Sequence, residues 1–87
     1  MNIKFSYHAE FKLILYGIEK EEVVSALNHF ELKCEDTVED SKIIIIQIRN
    51  RLFVVVLSSD SKKLITIYPT DDKTIENRIK KGRWKCK

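Results

Sequence analysis

The sequence predicts one α+β domain, with helices packed on one face of an antiparallel sheet. Three observations predict it. Two stretches near the N-terminus space their apolar residues as helices do. From Leu32 onward the period changes to two, and the apolar runs become rich in β-branched and aromatic residues. Those runs are joined by connections of a few residues, which permit only an antiparallel meander. Eighty-seven residues support a single core, so the domain spans 1–87.

Asn2 to Phe5 alternates Ile3 and Phe5 with polar neighbours and suits a short opening strand. Ser6 is placed to cap a helix from Tyr7 to Tyr16, which Gly17 ends. A second helix runs from about Lys20 to Phe30. Its Val23, Val24, Leu27 and Phe30 share one face, and Glu21 and Glu22 sit in the first turn, where the helix dipole favours them. So short a link makes the two helices an antiparallel hairpin. Leu32, Cys34 and Val38 alternate with polar neighbours as a half-exposed edge strand, and Glu39 to Ser41 form a turn. Strands at Ile43–Ile48, Leu52–Leu57 and Leu64–Tyr68 follow, and Pro69 stops the last one. Thr70 or Asp71 caps a final helix from about Asp72 to Lys81, closed by Gly82. The order is β-α-α-β-β-β-β-α.

Parity along the middle strands groups Ile44, Ile46, Ile48, Leu52, Val54 and Val56 with Ile65 and Ile67 on an apolar face beneath the helices. The other face begins apolar at Ile43 and Ile45 and turns polar at Gln47 and Arg49, with Arg51, Phe53, Thr66 and Tyr68 joining it. The grouping depends on the hairpin. A two-residue loop at Asn50-Arg51 pairs Arg49 with Leu52, and a three-residue loop pairs Ile48 with Leu52, with opposite consequences for parity.

Composition excludes several classes. At 44% hydrophobic and 33% charged residues the chain is globular, neither disordered nor membrane-embedded. Its longest apolar run, Leu52 to Leu57, is far short of the roughly 20 residues a membrane helix needs. The opening Met-Asn-Ile-Lys-Phe-Ser shows no secretory h-region, and a cytoplasmic location is expected. Cys34 and Cys86 are far apart, so neither a disulfide framework nor a redox pair is expected, and Cys34 reads as a small buried hydrophobe. No pair among Cys34, Cys86, His8 and His29 has the short spacing of a structural zinc site, and no metal or cofactor is expected. Charge is uneven. Residues 73–87 hold seven cations against Glu76, a net +6, which leaves nine cations against twelve carboxylates, a net −3, in residues 1–72. A basic tail, about 72–87, on an acidic body points to a polyanion, or else to a solvated terminal helix.

Several local motifs stand in a telling order: His8-Ala9 opening the first helix, Lys12 four residues on, and Gly17-Ile18 before the acidic turn of the second helix. Leu64-Ile65-Thr66-Ile67-Tyr68-Pro69 closes the series. This combination, over about residues 5–70, resembles the RelE/ParE-type toxin superfamily, and within it the BrnT-like group of small bacterial and archaeal domains. Lys12 stands where that group usually has Arg, and Tyr16 replaces the Arg before Gly-Ile. The resemblance implies a RelE-like fold and a small ribonuclease.

RNA cleavage without a metal needs a base for the 2′-hydroxyl, cations for the phosphorane and an acid for the leaving oxygen. Imidazole is the side chain suited to proton transfer near neutral pH, so His8 can serve as base or acid; otherwise it links helix and sheet by a hydrogen bond. Lys12, one turn on, can hold a phosphate or be a solvated helix lysine. Arg49 and Arg51 flank a hairpin and offer planar donors to two phosphate oxygens, though arginines are ordinary at such turns. Thr66 and Tyr68 can position a phosphate or a base, or serve simply as strand formers. Lys80, Lys81, Arg83, Trp84 and Lys85 combine cations with an aromatic, the pairing that holds single-stranded RNA. Alternatively Trp84 folds back on Ile79 or the sheet edge. With the resemblance, these residues lead to an expectation of a metal-independent endoribonuclease, the toxin of a toxin–antitoxin pair. Its partners would be RNA, free or ribosome-bound, and an antitoxin protein. The competing expectation is a non-catalytic RNA- or protein-binding module on the same fold.

Overall fold

A computed structural model describes residues 3–86. The elements are β1 (Lys4–Phe5), α1 (Tyr7–Tyr16), α2 (Lys20–Leu27), β2 (Leu32–Asp36), β3 (Lys42–Ile48), β4 (Arg51–Leu57), β5 (Lys63–Pro69), α3 (Asp72–Lys80) and β6 (Trp84–Cys86). The strands form one sheet in the order β1-β5-β4-β3-β2-β6. Only β1 runs parallel to its neighbour, β5; the other pairs are antiparallel. Asn2, expected in the first strand, and Lys87, counted in the basic tail, lie outside the described residues. Among the described residues no helix is long and apolar enough to cross a membrane.

Helix ends follow their local chemistry. The Ser6 hydroxyl accepts the Ala9 N–H at 3.0 Å, and Gly17, at φ 67°, donates to the Ile14 carbonyl. α2 stops at Leu27 instead of Phe30, because the Glu31 N–H already donates to Ile45 and draws the chain into the sheet. β2 ends at Asp36, before Val38, because the Asp36 carboxylate accepts the amides of Val38 and Glu39 at 2.8 and 3.0 Å and folds the turn. Asp71, not Thr70, caps α3 by accepting the Thr74 N–H at 2.8 Å.

The hairpin register differs from both expected loops. Arg49 and Asn50 are both left-handed, at φ 52° and 64°, forming a two-residue turn that pairs Ile48 with Arg51. Ile44, Ile46 and Ile48 therefore share a face with Phe53, Val55 and Leu57. Val54 and Val56, expected beneath the N-terminal helices, lie on the opposite face. Ile65 also leaves the helix-covered layer. A bulge between Val56 and Leu57 pairs Val56 with Thr66 and Leu57 with Leu64, and Ile65 remains 38% exposed.

Both faces of the sheet are covered. On the first, Ala9 and Leu13 of α1 and Val23 and Leu27 of α2 pack against Ile44, Ile46, Phe53, Val55, Leu64 and Ile67. On the second, expected to turn polar, Ile75 of α3 and Trp84 of β6 cover Cys34, Ile43, Ile45 and Val54. Helices thus flank the sheet on two sides instead of one. β6 was not expected. It pairs with β2, where Cys34 and Cys86 stand directly opposite and form a disulfide, which corrects the reading of two unlinked cysteines.

Candidate nucleic-acid interface

The expected catalytic residues divide between the two faces. His8 is exposed in the first turn of α1, and Lys12 follows one turn later with its Nζ 6.0 Å from the Tyr16 ring centre. Tyr16 packs on Phe53 at 5.9 Å between ring centres, and the Arg51 guanidinium lies 5.7 Å from the Phe53 ring. Lys12, Tyr16, Phe53 and Arg51 thus form a continuous cation–aromatic ladder along α1 and β4. His8 lies at the other end of that helix. Ser6 donates its N–H to Leu64, near the start of β5, whereas Phe53 faces Pro69 at its end. The helix rise from His8 to Tyr16 alone is about 12 Å. His8 and Lys12 are therefore neighbours, and the hairpin arginines are remote from His8.

Arg49 is committed elsewhere. Its Nε and Nη2 donate to the two Glu22 carboxylate oxygens at 3.0 and 2.7 Å. The Glu19 amide, and then this guanidinium, hold the Glu22 carboxyl below the ordinary carboxylate range. Thr66 and Tyr68 pair with Val56 and Val54 and so belong to the second face, away from α1.

There, two adjoining hollows meet. A cleft of about 450 Å³ is lined by Thr74, Asn77, Arg78, Lys81 and Arg83. A second hollow, of about 260 Å³, includes Asp36, Ser41, Tyr68 and Trp84, and it shares Arg78 and Arg83 with the first. α3 builds the cleft by spacing: residues 74, 77, 78 and 81 fall on one helix face, while Ile75 anchors the helix to the core. Gly82, at φ 76°, turns the chain into β6, and the Thr37 hydroxyl donates to the carbonyls of Gly82 and Arg83, fixing that turn.

Each cation has a defined seat. Arg83 donates from Nε to Asp36 Oδ1 and Oδ2 at 3.1 and 3.3 Å. Burial pushes the Asp36 carboxyl up, but Arg83 and the amides of Glu39 and Val38 outweigh it and hold the group below its ordinary value. The Arg78 guanidinium lies 5.6 Å from the Trp84 ring centre and makes no salt bridge among the described residues. Lys81 is exposed at the C-cap of α3. Burial raises the Tyr68 phenol above its ordinary value, against the pull of Arg78, so it keeps its proton and can donate to an anion. The C-terminal end of a helix carries about half a negative charge, which Arg78 and Lys81 outweigh even with Arg83 offset by Asp36.

The structure therefore brings Tyr68 together with Arg83 and Trp84, residues that sequence assigned to different roles. Trp84 is 2% exposed and serves as packing beneath Arg78, leaving no free ring face for a base. Lys80 and Lys85 are exposed; Lys85 stands across from Glu35 at the β2–β6 pair, and neither lines the cleft. Thr74 and Asn77 escaped sequence reasoning, and Arg78 counted there only as one of the tail cations, although their helical spacing with Lys81 signalled a shared face. Among the described residues no group of three or more His, Cys, Asp or Glu is placed to hold a metal. Comparison of the chain with protein-family models, with curated proteins and with solved structures returned no match.

Proposed function

We propose that the chain is an RNA-binding domain that grips the phosphate backbone through the cleft between α3 and β6. The observation that carries this reading is the convergence of Arg78, Lys81 and Arg83 with Thr74 and Asn77 around one open cleft. Arginine forks and a lysine point charge suit phosphate oxygens, and the Thr hydroxyl and Asn amide add neutral donors. Support for a RelE-like fold comes from the β-α-α-β-β-β-β order through β5 and from the two N-terminal helices sharing a face. The test is a titration with single-stranded RNA followed by amide chemical shifts. Shifts centred on Thr74, Asn77, Lys81 and Arg83 are the expected result; shifts centred on α1, with α3 unmoved, would refute the assignment.

His8 and Lys12, on adjacent turns of α1, favour a second reading as a metal-independent endoribonuclease of a toxin–antitoxin pair. In it His8 moves the proton and Lys12 holds the phosphate. His8→Ala would then cut cleavage in EDTA by about 10²–10⁴-fold with RNA affinity unchanged. Absence of cleavage by the wild type on free or ribosome-bound RNA would leave the binding reading alone.

A further inference from the structure

The second hollow, beside the α3 cleft, carries polar groups that phosphate binding leaves unused. At about 260 Å³ it falls just below the roughly 300–1,000 Å³ of drug-sized ligand sites, which suits a single planar base. Ile43, Val56 and Ile65 give it an apolar wall for a base to lie against. Its two carboxylates differ. Asp36 is engaged by Arg83 and by the amides of Val38 and Glu39. Glu39 is exposed, and its carboxylate makes no salt bridge or hydrogen bond among the described residues. Ser41 is only 8% exposed, yet its hydroxyl has no hydrogen-bond partner among the described residues. Alternation places Ser41 on the same side of the sheet as Ile43, the side on which the hollow opens. The half-buried Tyr68 phenol is unpartnered in the same way.

We propose that this hollow is a guanine subsite for the RNA whose phosphates occupy the adjoining cleft, an inference that rests on the RNA-binding reading. The two spaces share Arg78 and Arg83, so one nucleotide can set its base in the hollow and its phosphate in the cleft. Arg83 reaches Asp36 through Nε alone, which leaves both Nη groups for the phosphate. Guanine is singled out by its Watson–Crick edge. Its N1–H and its N2 amino group donate side by side, matching the two oxygens of one carboxylate, and its O6 accepts. Glu39 takes the two donors, and the Ser41 hydroxyl or the Tyr68 phenol donates to O6. Adenine, cytosine and uracil each offer a single donor group on that edge. Adenine and cytosine would also turn a ring-nitrogen lone pair toward the carboxylate, which repels it. Because Trp84 is buried beneath Arg78, the base is read at its edge and not by stacking on the indole.

Fluorescence anisotropy with short oligouridines carrying one central G, A, C or U tests the proposal on the full chain. The G strand should bind about 10-fold or more tighter than the other three. Glu39→Ala should abolish that preference and leave affinity for plain oligouridine at or above the wild-type level, since it removes a negative charge beside the cleft. Glu39 is exposed and only its backbone amide serves the turn, so circular dichroism should show an unchanged fold. Equal affinity for all four strands would overturn the guanine subsite and leave the phosphate-gripping cleft standing. No binding of any strand would overturn both. A preference for G that survives Glu39→Ala would overturn the proposal, because the carboxylate would not be reading the base. Free 5′-GMP binding as tightly as the G strand would overturn it as well, since the site would then belong to a free nucleotide.

Discussion

Reducing the Cys34–Cys86 bond should lower stability without dismantling the native sheet. The bond closes a loop with a sequence separation of 52. Chain-entropy arithmetic for a loop of that size gives a stabilisation of about 4 kcal/mol, exerted on the unfolded chain. A domain this small has a total stability of roughly 5–15 kcal/mol, so the loss is large but survivable. It corresponds to a fall in melting temperature of roughly 15–30 °C. In the folded state β6 keeps its other anchors: Trp84 is buried among Cys34, Ile43, Ile45 and Val54, and Arg83 stays paired with Asp36. Trp84 is the only tryptophan, so its emission reports on β6 directly. The assay is thermal melting by circular dichroism and Trp84 fluorescence, with and without reductant, plus thiol titration to verify reduction. The Cys34→Ala, Cys86→Ala double variant should melt with the reduced wild type and ignore reductant. Equal melting of oxidised and reduced protein would refute the reasoning. So would red-shifted Trp84 emission in reduced protein whose sheet remains folded, since β6 would then be held by the bond alone.

Val54→Asp should unfold the domain, because Val54 is fully buried under α3 and β6 and an aspartate there has no partner; cooperative melting near the wild-type temperature would contradict this. The Asp36–Arg83 pair predicts an acid limb. Its carboxyl titrates lower in the folded state than in the unfolded one, so its contribution is complete above the unfolded value of about 3.9 and is lost as pH falls through the folded value. Asp36→Asn should melt lower at neutral pH and with a flatter slope below about pH 4; an unchanged slope would assign the acid limb to other groups. Asn50→Gly should raise stability by about 0.5 kcal/mol, since Asn50 occupies a left-handed turn position that glycine adopts freely, and a loss would contradict the two-residue hairpin.

What was legible in the sequence was local chemistry. Ser6 and Gly17 bound α1 because their capping groups act within one turn, and Pro69 and Asp71 mark the junction before α3 for the same reason. Face assignment was not legible. Ile43, Ile44, Ile45 and Ile46 are all buried, so alternation carries no information about which side meets the helices, and the register fell to a turn with a left-handed arginine. β6 and the disulfide were hidden because they arise from tertiary pairing of three residues with a distant strand. Of the candidate site, the cationic character of the last helix was visible, as was the option that Trp84 packs at the sheet edge. The meeting of Tyr68 with Arg78 and Arg83 was not, since it requires α3 to fold back onto the second face of the sheet.

The most direct test of an RNA-gripping cleft is the salt dependence of single-stranded RNA binding by wild type and by the Arg78→Ala, Lys81→Ala double variant. Each phosphate contact on a single strand contributes about 0.7 to the slope of log affinity against log salt, so removing two should flatten the slope by roughly 1.4. Arg78 and Lys81 make no salt bridges among the described residues, so the melting temperature should fall only by the few degrees that loss of the Arg78–Trp84 contact costs. A flatter slope with weaker binding and intact folding is the predicted result. A variant that binds RNA with the wild-type slope and affinity would contradict the account.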